Sequence, residues 1–279
     1  MRRRDGAAGA PLDRVGPTLI TLAFVLVACQ RMAGADATSP TKDGERLEVE
    51  QLTVRILAAY PHDPTAFTQG LVWDGGLLYE STGLYGRSTV RRVEPGDGRI
   101  LEKTVLDPNL FGEGLALAGG RLIQLTWKAG IALVYDLATL RDVDQFGYNG
   151  EGWGLASDGE RLAMSNGSSL LTFRDPSDFR WLSTLEVRLA GEPIDRLNEL
   201  EFADGQLYAN VWGENRIVRI DPQNGRVTAV IDAAGLLKPQ EARMVDVLNG
   251  IAYDPASETF WLTGKFWPKT FQVVFVPKE

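Results

Sequence analysis

Cysteine is almost missing from this chain of 279 residues: Cys29 stands alone. One thiol cannot close an intramolecular disulfide, so the fold has to be held by its core. Histidine is equally scarce, with His62 alone, which excludes a His-rich metal centre. His62 sits in Tyr60-Pro61-His62-Asp63-Pro64, a turn-forming run in which it reads as a structural residue. No run of basic residues exists and the formal net charge is −8, so nucleic acid is not an expected partner. Long apolar runs are missing as well. The longest, residues 17–28, is too short to cross a bilayer comfortably. Helical periodicity is nearly absent, and only residues 232–244 have the makings of a short turn or helix.

At the start of the chain, Arg2, Arg3, Arg4 and Arg14 precede that short apolar run, the layout of an export signal. The run closes on Leu26-Val27-Ala28-Cys29, which resembles a bacterial lipobox. The resemblance implies cleavage before Cys29 and a lipid on its sulfur. Residues 1–28 then form a lipoprotein signal peptide. The product is expected to be exported and lipid-anchored in the bacterial cell envelope, periplasmic or surface-facing, with Cys29 its only link to the membrane. Residues 29–50, rich in small and charged residues without an apolar period, read as a flexible tether. Residues 51–279 fit one all-β domain or two small ones.

That domain repeats. Gln69-Gly70-Leu71, Glu113-Gly114-Leu115, Trp153-Gly154-Leu155, Asn198-Glu199-Leu200 and Asn249-Gly250-Ile251 follow one another at intervals of 40 to 51 residues. Glycine in such stretches admits close approach by another backbone or a ligand. Each stretch opens a series of short apolar strands. In the second unit these are 114–118, 122–127, 131–136 and 143–146; in the fourth, 200–203, 206–212, 216–221 and 226–231. Gly119-Gly120 and Asp204-Gly205 between the first two strands are hairpin signals. A four-strand unit recurring at this period predicts a β-propeller of five blades, four antiparallel strands each. The last unit has room for three strands. Residues 52–59, with Val54, Ile56 and Ala58 alternating against their neighbours, are expected to close it as its outer strand. A pair of β-sandwiches is the rival, against which the single recurring unit argues.

In such a ring the leading residues Gln69, Glu113, Trp153, Asn198 and Asn249 converge on one mouth. The ends of the second strands, Thr82, Trp127, Trp212 and Lys265, form a second ring on the same side. Phe67 and Phe111, two residues before Gln69 and Glu113, point the same way in an extended strand. Aromatic walls with a few polar groups make a small-ligand pocket. Glu113 is the one acid at a leading position, and its apolar surroundings are expected to raise its proton affinity. Glu80, Glu151 and Glu201 are competing carboxylates, Glu151 the strongest because it shares a face with Trp153.

The ordered motifs resemble the plant and bacterial type of glutaminyl-peptide cyclotransferase. They run from Phe67-Thr68-Gln69-Gly70-Leu71 through Tyr79-Glu80-Ser81-Thr82-Gly83-Leu84-Tyr85-Gly86, Phe111-Gly112-Glu113-Gly114-Leu115, Leu125-Thr126-Trp127 and Glu151-Gly152-Trp153-Gly154. They continue with Leu197-Asn198-Glu199-Leu200-Glu201, Val211-Trp212-Gly213, Leu248-Asn249-Gly250-Ile251-Ala252 and Thr263-Gly264-Lys265-Phe266-Trp267-Pro268. The resemblance implies a five-bladed propeller that turns the N-terminal glutamine of peptides or proteins into pyroglutamate with release of ammonia. It implies no cofactor and no metal, unlike the unrelated zinc-dependent animal enzymes. It makes Glu113 the catalytic acid/base, and Phe67, Gln69, Phe111, Trp127, Trp153, Asn198, Trp212 and Lys265 the substrate pocket. Lys265, Gln69 and Asn198 all remain candidates for holding the developing oxyanion. The protein is expected to act as a monomer. Two other readings stay open: a metal-dependent lactonase holding Ca²⁺ through Glu113, Asn198 and Asn249, and a non-catalytic propeller that binds peptides or glycans.

Overall fold

The computed structural model describes residues 48–279. The signal peptide, Cys29 and almost all of the tether assigned above lie outside the described residues. A long first strand, β1 (Glu50–Pro61), leads into an antiparallel sheet of β2 (Thr68–Asp74), β3 (Leu77–Thr82), β4 (Thr89–Val93) and β5 (Ile100–Val105). A second sheet contains β6 (Gly112–Ala118), β7 (Arg121–Thr126), β8 (Ile131–Asp136) and β9 (Asp142–Gly147). A third contains β10 (Leu155–Ser157), β11 (Leu162–Met164), β12 (Leu170–Arg174) and β13 (Trp181–Glu186). A small ribbon of β14 (Arg188–Leu189) and β15 (Glu192–Pro193) follows, which the repeat did not foretell. Next come β16 (Leu197–Ala203), β17 (Gln206–Val211), β18 (Arg216–Ile220) and β19 (Val227–Asp232). One turn of 3-10 helix (Glu241–Arg243) interrupts the long connection to β20 (Leu248–Asp254), β21 (Thr259–Gly264) and β22 (Lys269–Pro277).

Local chemistry accounts for these elements. Gly119-Gly120 and Asp204-Gly205 hold positive φ at both central positions, 57° and 72° in one and 49° and 73° in the other, the twist that joins antiparallel strands tightly. First strands such as β6 are buried nearly throughout, whereas the fourth strand β9 is mostly exposed. Core side chains fill the space between neighbouring sheets: Ile123, Leu125 and Val134 of the second meet Leu155, Leu162 and Phe179 of the third.

The expected five-bladed propeller, with its last blade closed by the N-terminal strand, is corrected by the hydrogen bonding. Three four-stranded sheets are separate, but the remaining strands form a single eight-stranded sheet in the order β16-β17-β18-β19-β1-β22-β21-β20. β1 pairs antiparallel with β22, from Leu52↔Pro277 to Pro61↔Lys269, and parallel with β19, from Glu50↔Ala229 to Thr53↔Asp232. A strand has two edges of unpaired N–H and C=O groups, and once one edge is used the other still seeks partners. The outer edge of β19 supplies them. β1 is therefore a bridge inside one sheet rather than the rim of a fifth. The alternation read for β1 also fails midway: a register shift between Ile56 and Ala58 leaves both Ile56 and Leu57 exposed.

The first strands lie against one another in sequence, β2 on β6, β6 on β10, β10 on β16, β16 on β20, and β20 back on β2. This circuit explains the recurring glycine. A Cβ on Gly114 would stand 2.4 Å from the Leu155 amide nitrogen, and one on Gly154 would stand 2.0 Å from the Asn198 carbonyl oxygen. In the fourth unit the equivalent position carries Glu199, fully buried. Its carboxylate accepts from the backbone N–H of Leu71 (3.2 Å) and of Ile251 (2.8 Å), tying β2 to β20.

Candidate active site

At one end of this circuit the ladders skip. The pairing of β2 with β3 jumps from Thr68 to Gly70, and β6, β16 and β20 jump from Gly112 to Leu115, Leu197 to Leu200 and Leu248 to Ile251. Such bulges free a residue from the ladder and re-aim its side chain. The residues released are Gln69, Glu113, Asn198 and Asn249. Trp153 reaches a similar place by preceding β10, its N–H bound to the Ser165 carbonyl at 3.0 Å.

The second ring has its own constant contact. The N–H groups of Trp127, Trp212 and Lys265 donate to the carbonyls of Phe111, Arg196 and Val247, each two residues before a leading position. In the first unit the donor is Gly83, to Phe67, at 2.8 Å. The register equivalent of the two tryptophans is thus Gly83, and Thr82, placed in this ring from sequence, instead hydrogen-bonds Thr89 at 2.7 Å. The absent side chain at Gly83 matters, because a Cβ there would lie 2.3 Å from the ring of Phe111.

Phe67, Gln69, Phe111, Glu113, Trp127, Trp153, Asn198, Trp212 and Lys265 together line a cavity of about 300 Å³. Phe67 and Phe111 meet edge to face with centroids 6.0 Å apart, and Trp127 continues that wall 5.5 Å from Phe111. Trp153 and Trp212 pack edge to face at 6.1 Å. Asn249 stands behind the wall and donates to Gln69 Oε1 (3.2 Å) and the Thr68 carbonyl (3.0 Å). Gln69 itself lines the cavity.

Among the described residues Glu113 is the one acid and Lys265 the one cation lining the cavity. Burial raises the Glu113 pKa well above the usual carboxylate range, with a smaller push from the charge of Glu151 and a pull downward from Lys265. Burial likewise lowers the Lys265 pKa, against the opposing charge of Glu113. No side chain among the described residues hydrogen-bonds the Glu113 carboxylate, and the two groups make no direct ion pair. Lys265 Nζ lies 4.7 Å over the Phe67 ring. A carboxylate that holds protons readily and has its lone pairs free can both take and give a proton.

The competing carboxylates are already engaged. Glu80 accepts from Arg91 Nε and Nη2 (2.8 and 2.6 Å), His62 Nε2 (3.0 Å) and Thr68 (2.6 Å), and the other ring N–H of His62 donates to the Trp267 carbonyl at 2.7 Å. Glu201 accepts from the Tyr253 N–H at 3.0 Å. Glu151 has a role that sequence reasoning missed: one oxygen accepts from the indole N–H of both Trp127 (2.8 Å) and Trp153 (3.1 Å). Tyr85 and Phe266 were also missed. They pack on Phe111 and Phe67 with centroids 5.4 and 5.2 Å apart, and both stand inside motifs quoted above. Among the described residues no group of three or more His, Cys, Asp or Glu side chains is disposed to hold a metal ion.

Fold and cavity together define the class: an all-β domain whose buried carboxylate faces an aromatic chamber of about 300 Å³. The chain belongs to the glutamine cyclotransferase family, whose model matches residues 24–275. It is 43% identical over 228 residues to a glutaminyl-peptide cyclotransferase of Arabidopsis thaliana, across 79% of this chain and 70% of the plant protein. The crystal structure of the Myxococcus xanthus glutaminyl cyclase matches it with a TM-score of 0.76 at 37% identity, over 83% of this chain and 100% of that one.

Proposed function

We propose that this chain converts the N-terminal glutamine of peptides and proteins to pyroglutamate, an acyl transfer in which the acceptor is the substrate's own α-amine. The observation that carries the reading is the state of Glu113: buried, unpartnered, proton-retaining, and walled by aromatic rings. The α-amine attacks the γ-carboxamide carbon, forming the ring C–N bond. Glu113 takes the proton that the amine loses. It then returns that proton to the γ-nitrogen as the C–N bond to that nitrogen breaks, and ammonia leaves. No group of the protein becomes covalently attached. An α-amine titrates at about 7.7–8.0, so near neutral pH a usable share of it is the free nucleophile.

The walls formed by Phe67, Phe111, Trp127, Trp153 and Trp212 fold the glutamine side chain back towards its amine, which converts flexibility into attack geometry. They also keep water from competing for the carbonyl. The developing oxyanion is held by Gln69 Nε2, whose own oxygen is engaged by Asn249, with Asn198 and Lys265 close by to orient the backbone of the substrate.

The test is a coupled ammonia assay on a glutamine-initiated dipeptide, with and without EDTA. Equal amounts of ammonia and pyroglutamate are expected, unaffected by the chelator. Glu113→Gln should lower kcat by roughly 10²–10⁴-fold in a protein that still folds. Absence of ammonia at micromolar enzyme, a chelator-sensitive rate, or a fully active Glu113→Gln protein would refute the assignment.

A further inference from the structure

We propose that a polar groove beside the catalytic cavity receives the peptide that follows the leading glutamine and selects acidic side chains there. The inference rests on the cyclase reading above and adds a substrate class to it. The groove has a volume of about 290 Å³ and shares Phe67 with the catalytic cavity. Phe67, Gly83, Arg87, Arg91 and Lys103 line it, with Asp63 the one acid among its lining residues. It lies on one face of the first sheet, where Glu80 pairs with Arg91 and Arg91 with Lys103 in register. A substrate whose glutamine fills the cavity must send its chain out through the mouth, and Phe67 is the wall common to both spaces. An extended peptide advances about 3.3 Å per residue, so the second to fourth residues would lie along the groove.

Charge identifies the ligand. The Arg91 guanidinium is used up by Glu80 and by Asp63, whose carboxylate it meets at 2.8 Å. Arg87 and Lys103 have no carboxylate within ion-pair distance among the described residues, and both line the groove. Elsewhere Lys128 pairs with Glu151 at 3.6 Å, while Arg196 and Arg216 share one carboxylate, Glu214. Arg87 and Lys103 thus leave two exposed positive charges along this groove in a chain of net charge −8, and such a focus of one sign draws the opposite sign.

Amidated Gln-Glu-Glu-Ala and Gln-Lys-Lys-Ala peptides decide the matter against glutamine amide, which is too short to enter the groove. At low salt the acidic peptide should have a kcat/KM about five- to tenfold above that of the basic one, from two exposed charge contacts, and the gap should close at high salt. In the Arg87→Glu, Lys103→Glu double variant the order should reverse, with glutamine amide unaffected. Equal turnover of the two peptides by the unmodified protein at low salt would overturn the proposal without need of any variant. So would a double variant that loses glutamine amide and both peptides alike. Failure to cyclise glutamine amide at all would instead sink the cyclase reading itself, a different result from loss of charge preference.

Discussion

Glu151 offers the sharpest test of how the cavity is built, because its carboxylate does two separable things. Its Oε2 accepts from the indole N–H of Trp127 and Trp153, fixing two walls from one atom, and its charge adds to the upward shift of the Glu113 pKa. Glu151→Ala removes both, whereas Glu151→Gln keeps an acceptor oxygen and removes the charge. A net hydrogen bond contributes about 0.5–1.5 kcal/mol. The side chain is 41% exposed, so water can replace part of what is lost and the low end applies. Two bonds at that end amount to about 1 kcal/mol of wall positioning, or roughly a fivefold fall in kcat/KM for Glu151→Ala. Glu151→Gln should stay within about twofold. The pH profile separates the second effect. With the ionised carboxylate of Glu113 as the proposed base, the rate should climb as pH rises through its raised pKa. Removing a nearby negative charge lowers that pKa, and the acid limb should move to lower pH in both variants. Steady-state cyclisation of a glutamine-initiated dipeptide across pH would measure both quantities. An Ala variant with unchanged kcat/KM and an unmoved acid limb would refute the reasoning.

Gly154→Ala should destabilise the domain by about 1–3 kcal/mol or more, the cost of overpacking, since its Cβ would press on the Asn198 carbonyl oxygen at 2.0 Å. Gly96→Ala, where the nearest atom is the Glu94 carboxylate at 4.0 Å, should stay within about 0.5 kcal/mol; urea unfolding of the two side by side checks the contrast. Burial, helped by Glu201, holds the Glu199 pKa well above the usual range, so its contribution is fully present below the unfolded-state pKa and is lost as pH rises through the folded one. Stability of the unmodified protein should therefore decline from mildly acidic towards alkaline pH, and Glu199→Gln should flatten that decline. Parallel curves for the two proteins in chemical denaturation would count against it. Glu80 acts in the opposite window: Arg91 and His62 hold its pKa down against burial, so its contribution is present above the usual carboxylate pKa and lost as pH falls.

The cavity was more legible than the sheet that carries it. Gln69, Glu113, Trp153 and Asn198 announced themselves by recurring at one place in a repeat, and a repeat is a property of the chain that needs no coordinates. Glycine at the following position was legible too, because only glycine admits a neighbouring backbone as close as Leu155 comes to Gly114. Strand pairing at the end of the circuit was not. Whether β1 stops at β22 or also joins β19 depends on which free edge lies beside it in space, and no local pattern in residues 50–53 records that. Equally hidden was the register that puts Gly83, rather than Thr82, opposite Phe67.

What the amino-acid order determined by itself was the inventory: one acid among amides and aromatics at matching places, in an all-β chain with no covalent staple in the domain. The tertiary structure decided the aim of those side chains. Three of the four inner-strand bulges release two residues opposite one on the partner strand, and that irregularity turns Glu113 into the cavity instead of leaving it in the ladder. It also decided that Glu151, alike in composition to Glu113, would be spent on two indole N–H groups. Glu113 was left buried with free lone pairs, and the difference between the proposed proton carrier and a wall support came from burial and hydrogen-bond partners alone.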